Sequence, residues 1–320
     1  MIDLLSPIQF VIDHAQHVKV NKKNVAAYVA AFMPATVDHW MSACPFEWHS
    51  LPNVDDEVDR WFLADSMAFC FWGYPTKWTI EYQGKKIDGW WALLASFQRT
   101  LEAGTPLLEG QYLAQMTDDQ ARELFAGDPE IPLFAERLKI FHDIGTTLVT
   151  KYNGRFHNFL KEAPHDATDL LTRLVSEFPT FDDTSIYQDQ RIFFYKKAQL
   201  FIHDLVIGFP DTPYAKITGL ADFTGEADYK IPAILRKLSI LEYDQELSDL
   251  VDSRTELVAD SVYEVEIRAG MLAACHLICE GLKQRGIKVL PIELDGILWV
   301  ASQTKSPDDK PYHLTLTTDY

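Results

Sequence analysis

The chain has 320 residues, 47% of them hydrophobic, four cysteines and a formal net charge of −18. That length suits one large domain or two modest ones with a sizeable core. So acidic a chain argues against gripping duplex DNA or intact tRNA, which takes clustered lysine and arginine, but it leaves room for a local pocket holding one phosphate.

Residues 1–36 read as two helices, one with Pro7 in its first turn and one over the alanine-rich stretch Asn24–Met33, stopped by Pro34. Met1-Ile2-Asp3 carries no basic leader region, so no secretory signal is expected. Pro45 to Pro52 is a loop that contains His49. Residues 55–72 have the spacing of an amphipathic helix. Lys77–Ile87 alternates about Gln83-Gly84, the one good hairpin signal in the chain. Gly89-Trp90-Trp91 opens a helix through Leu101, its tryptophans packing the hairpin onto the helices. Thr117 and Gln120 have capping-box spacing. Pro132 introduces a long helix, Leu133–Thr150, and shorter ones follow at 155–162 and 166–177. The polar, aspartate-rich segment 178–191 reads as a loop, and Ile192–Ile207 as a helix. Residues 208–226 form a long irregular connection, a kind of segment that is usually functional inside a compact domain. It leads to Asp228, placed to cap a helix that has Pro232 in its first turn. The longest helical run is 256–285, and a further helix from about 292 carries Asp295. With no repeat, low-complexity tract or linker, the expectation is one mainly α domain, 1–320, with a single small β-hairpin. No apolar run approaches the roughly 18 residues of a membrane span. Cys44, Cys70, Cys275 and Cys279 are too scattered for a disulfide framework, which fits a reducing, cytoplasmic setting.

Phosphate-loop, dinucleotide and His-Glu-x-x-His motifs are absent. Cys275-His276 and Cys279 lie on an apolar helix and read as core. Asp55-Asp56-Glu57 reads as a helix start, so no metal and no other cofactor is expected. Two separated carboxylates remain, Asp228 and Asp295. Ile292, Leu294, Ile297 and Leu298 surround Asp295, and a buried carboxylate is costly unless it is paired or put to use. From the residues alone, Asp228 can be a helix cap, Lys196 a solvated lysine and His49 a surface histidine.

Six blocks stand in register along the chain. They are Gly89–Leu93, Glu177-Phe178-Pro179, Phe194-Tyr195-Lys196-Lys197-Ala198-Gln199, Ala227-Asp228-Tyr229-Lys230-Ile231-Pro232, Glu264–Arg268 and Pro311-Tyr312-His313. On these the chain resembles, from Leu4 to Tyr320, the queuosine salvage family of queuosine 5′-phosphate N-glycosylase/hydrolases. The resemblance implies a helical fold related to DNA glycosylases and metal-independent hydrolysis of a nucleotide to queuine and ribose 5-phosphate. Asp228 and Asp295 would be catalytic. Asp228, Asp295, Glu226, Gly296, Val300 and His49 would face the base. Lys196, supported by Tyr195 and Gln199, would meet the phosphate, with Lys197 pointing elsewhere. The partner is then a small nucleotide rather than nucleic acid. Three positions depart from the family pattern: Glu226 replaces a phenylalanine, Gly296 a tyrosine and Val300 an acid. Glu226 could pair with the ammonium of queuine in place of the acid missing at Val300. Another (deaza)purine nucleoside 5′-monophosphate as substrate, or a non-catalytic nucleotide-binding protein, are the competing readings.

Overall fold

The computed structural model describes residues 2–33, 40–73 and 75–320. The chain opens with α1 (Leu5–His14), β1 (Val18–Val20) and α2 (Lys22–Ala31), then runs through a loop to α3 (Val54–Ser66). Next come β2 (Thr79–Tyr82), β3 (Lys85–Asp88) and α4 (Gly89–Glu102). Four helices follow, α5 (Gly110–Ala114), α6 (Asp118–Leu124), α7 (Phe134–Lys151) and α8 (His157–Lys161), and then α9 (Ala167–Glu177). β4 (Thr184–Tyr187) and β5 (Gln190–Phe193) lead into α10 (Lys196–Gly208), and a loop with two short 3-10 turns reaches α11 (Lys230–Lys237). β6 (Leu241–Tyr243), α12 (Gln245–Asp252), α13 (Val262–Gln284) and α14 (Pro291–Gln303) complete the chain. The class is mainly α, as the periodicity predicts, and no helix among the described residues is long and apolar enough to cross a membrane.

Several expected elements form where the local chemistry puts them. The capping box on α6 is complete, with Thr117 and Gln120 each bonding the other's backbone N–H. β2 and β3 pair about Gln83-Gly84. Pro34, the expected stop of α2, lies outside the described residues.

Four expectations change. The helix over 55–72 ends at Ser66 and leaves Phe69-Cys70-Phe71 as buried chain outside any helix or strand. The segment 178–191 is not a loop. It holds β4 and the first half of β5, an antiparallel hairpin turned at Gln188 and Asp189, both with positive φ (46° and 63°). The next helix therefore starts at Lys196 rather than Ile192. β1 and β6 form a third two-stranded sheet, in register Val18 to Tyr243.

Two apolar clusters make the core. One gathers Phe62 of α3, Phe159 of α8 and Phe201 of α10 with the loop residues Phe156 and Phe178, Phe62 stacked on Phe156. The other surrounds α13, whose middle stretch Ala269–Cys275 is apolar and buried on all sides, as in a helix wrapped by others. Trp299 of α14 packs against both. Lys196 at the start of α10, Asp228 before α11 and Asp295 on α14 meet where these helices converge.

Candidate active site

A cavity of about 540 Å³ opens between α10, α11 and α14, a size that fits a nucleotide-sized ligand. Its upper wall is aromatic, with Trp40, Trp72, Trp90 and Trp299 among the lining residues. Trp40 lies edge-on to Trp299 at 6.3 Å between ring centroids. Trp91, by contrast, is core, as the sequence suggests. The floor is polar and holds buried Lys196, Asp228 and Asp295 and half-buried Glu226. Exposed Lys305 and Lys310 stand at the mouth.

The floor is built by one short loop, 223–228, clamped from below. The side-chain oxygen of Gln199 accepts the N–H groups of Thr224 (2.8 Å) and Gly225 (3.3 Å), while its amide donates to the Phe194 carbonyl (2.7 Å). Arg268 Nε donates to the Ala227 carbonyl (3.0 Å), and its two terminal nitrogens grip Asp183 at 2.9 and 2.6 Å. Asp183 in turn accepts the N–H of Lys196 (3.0 Å), so one buried ion pair fixes both the loop and the start of α10. Gly225 has φ +109°, and a Cβ there would stand 3.2 Å from Asp295 Oδ2. Only glycine lets the backbone turn so close to that carboxylate.

The carboxyl groups differ in their partners. Asp228 is 9% exposed, and its Oδ1 accepts the N–H groups of Lys230 (2.8 Å) and Ile231 (2.9 Å), so it does cap α11. Asp295 is 2% exposed and accepts the N–H of Glu226 on Oδ2 at 2.9 Å. Glu226 is half-buried, and its carboxyl makes no hydrogen bond to any described residue. Burial raises the proton affinity of all three, and the cation of Lys196 opposes the rise in each. Asp295 is held well above the usual carboxylate range by burial and by the charges of Glu226 and Asp228. Glu226 is pushed up to about 8, chiefly by burial. Beneath them lies a further buried pair that sequence reasoning missed, Asp65 on α3 and Asp204 on α10. Burial raises Asp65 well above its ordinary value and Asp204 to about 7. Trp40 Nε1 donates to Asp204 at 3.1 Å, and both oxygens of Asp65 lack a hydrogen-bond partner among the described residues. Neither aspartate stands in a sequence motif; only their places on apolar helix faces could have marked them.

The expected site residues divide. Asp228, Asp295, Glu226, Gly296 and Lys196 come together at the cavity. His49 is not part of its wall. It is half-exposed, with Nδ1 2.9 Å from Glu102 of α4, and its N–H donates to Gln98. Val300 stands about 140° around the helix from Asp295 at 100° per residue, off the cavity face. Tyr195 has φ 46°, turning the chain from β5 into α10, and stacks on Phe193 instead of facing the cavity. Gln199 is the buried clamp described above. Lys197, expected to point away into a lesser role, is fully buried and donates to Thr180 Oγ1 (2.8 Å) and the Ser66 carbonyl. Among the described residues no group of three or more His, Cys, Asp or Glu is arranged to hold a metal ion.

A cavity with an aromatic wall over converging carboxyl groups and a lysine is the site of an enzyme that handles a flat, polar base. The family described as Queuosine salvage protein matches residues 49–320, and the chain belongs to it. A Sphaerobacter thermophilus protein named Queuosine 5′-phosphate N-glycosylase/hydrolase is 35% identical over 100% of this chain and 98% of its own. Proteins of the same name from Mus musculus and Schizosaccharomyces pombe are 30% and 29% identical, covering 96% and 97% of this chain and 95% and 94% of theirs.

Proposed function

We propose that this protein hydrolyses the N-glycosidic bond of queuosine 5′-phosphate, releasing queuine and ribose 5-phosphate for salvage of the base. The observation that carries the reading is the convergence of Asp228 and Asp295 on one buried floor, in a chain that belongs to a salvage family. Cleavage of a nucleotide passes through a state with positive charge at C1′. Asp295, held by a backbone amide, stabilises that charge in its ionised form without having to reorganise, and that amide and the Lys196 cation favour the ionised form against burial. Asp228 has Oδ1 committed to two amides of α11, which favour its ionised form against the burial that opposes it and leave Oδ2 to orient or deprotonate the attacking water. The indoles of the wall stack on the base. Lys196 meets the 5′-phosphate as a point charge. It lies at the depth of the carboxylates, 7% exposed, with Nζ donating to the Ala68 carbonyl at 2.9 Å.

A second substrate reading has its own observation. A Cβ built on Gly296 meets nothing within 4 Å, so the space that a tyrosine would fill is open. That room favours a base bulkier than, or different from, queuine. The test is incubation with a panel of nucleoside 5′-monophosphates, scored for free base by mass. Release of queuine ahead of every other base supports the proposal. Faster release of another base replaces its substrate, and no release from any member removes its chemistry.

A further inference from the structure

We infer that Glu226 is the general acid of this reaction, the group whose carboxyl hands a proton to the departing base. The inference rests on the hydrolytic reading above and assigns its missing partner. Stabilising C1′ answers for only one side of the bond. The electron pair of the breaking C1′–N bond passes to the base, and a 7-deazapurine has no N7 to take a proton. Some residue on the base side has to protonate another position.

Glu226 is in place for this. Its N–H is on Asp295 (2.9 Å), and its carbonyl accepts the N–H of Asp228 (2.6 Å), so it stands between the two aspartates on the clamped loop and lines the cavity. Hydrogen bonds from amides favour a carboxylate's ionised form. Asp228 has two such bonds, Asp295 has one, and the Glu226 carboxyl has none among the described residues. Of the three, Glu226 is therefore the one with no amide bond drawing its carboxyl toward the ionised form. Charged groups on several elements surround it. Asp295 faces it from α14, Asp204 and Lys196 from α10, Asp65 from α3 and Asp228 from its own loop, while His203 of α10 lines the same cavity. Burial, aided by Asp204 and Asp228 and opposed by Lys196, holds Glu226 protonated up to a pH of about 8. A neutral acid at working pH is what proton delivery requires. A neutral Glu226 is also a poor counter-ion for the ammonium of queuine, the other role open to it. The step balances. The Glu226 O–H proton goes to the base, and water supplies hydroxide to C1′. The remaining water proton goes to the Asp228 carboxylate, from which the carboxyl cluster re-protonates Glu226.

The test compares wild type with Glu226→Gln and Glu226→Asp on two substrates, queuosine 5′-phosphate and 4-nitrophenyl ribofuranoside 5-phosphate, whose phenolate leaves without a proton. On the nucleotide, Glu226→Gln is expected to lower kcat by about 10²–10⁴-fold. KM should stay within a few fold, and the fall in rate above pH 8 should disappear. Glu226→Asp should keep part of the rate. On the nitrophenyl substrate Glu226→Gln should stay within about tenfold of wild type, which also reports that it is folded. Equal losses on both substrates, a retained high-pH fall, or a rise in KM with kcat unchanged would each overturn the assignment; the last is the signature of an ammonium counter-ion. Wild type inactive on queuosine 5′-phosphate sinks the hydrolytic reading and this inference together, whereas an active wild type with an indifferent Glu226→Gln sinks this inference alone.

Discussion

Gln199 separates two accounts of this site, because a phosphate ligand and a loop clamp fail differently. Consider Gln199→Leu, a change that keeps most of the volume of a side chain with no exposed surface. It strips partners from the N–H groups of Thr224 and Gly225 and from the Phe194 carbonyl. Each buried group left without a partner costs about 1–3 kcal/mol, so a loop that stayed in place would lose about 3–9 kcal/mol. The loop borders the cavity and can instead turn its two amides toward water. The expected net loss is then nearer about 2–4 kcal/mol, a melting temperature lower by several degrees. That movement carries the Glu226 amide off Asp295, and a misplacement of about 1 Å can cost about 10²-fold in rate. The assay is kcat and KM on queuosine 5′-phosphate and on queuosine, beside a thermal melt. A comparable fall in kcat on both substrates with a lower melting temperature is the predicted result. A loss confined to the nucleotide, with an unchanged melt, would refute the clamp and return Gln199 to the phosphate.

Three further outcomes follow from the same geometry. Lys196→Ala should cut kcat/KM for the nucleotide by roughly ten- to a hundredfold, the range of one charge-assisted contact, and barely touch the nucleoside; equal losses would mean that Lys196 serves the carboxyl groups instead. Asp204 is pushed up to about 7 by burial, so its folded-state proton affinity exceeds the unfolded one, and the stability this gives is present at acid pH and lost as pH rises through about 7. Asp204→Asn should therefore melt with wild type at pH 4 and above it at pH 8, and a gain equal at both pH values would contradict that sign. Gly296→Phe should fill the open space beside Asp295, raising KM for queuosine 5′-phosphate by more than for a nucleotide with an unsubstituted base; equal KM changes would place the base elsewhere.

Much of the helical frame was legible because it is local. Asp228 before Pro232 spells a cap, Thr117 and Gln120 spell a capping box, and apolar spacing marks the long helices. Asp295 among apolar neighbours already pointed to a buried carboxylate with work to do. The hairpin of β4 and β5 was hidden because Gln188-Asp189 makes its positive-φ turn without a glycine, and Asp182, Asp183 and Asp189 give the stretch a loop-like composition. The pairing of β1 with β6 joins Val18 to Tyr243 and Val20 to Leu241, far apart in the chain and beyond any local signal. His49 and Gln199 show the remaining gap. A histidine can face a base or hold a loop, and here Glu102 and Gln98, about 50 positions on, decide for the loop. Gln199 lies one turn from Lys196 on a buried helix, and its partners Thr224 and Gly225 become visible only when the loop is folded over it.

The central claim is that the carboxylates of this floor break the N-glycosidic bond. Single-turnover release of free queuine from queuosine 5′-phosphate by wild type and by Asp295→Asn tests it most directly. Asparagine keeps the shape and can still accept the Glu226 amide, so the variant should melt close to wild type. With the negative charge gone from beside C1′, its rate should fall by at least about two orders of magnitude. A folded Asp295→Asn that released queuine at close to the wild-type rate would contradict the account.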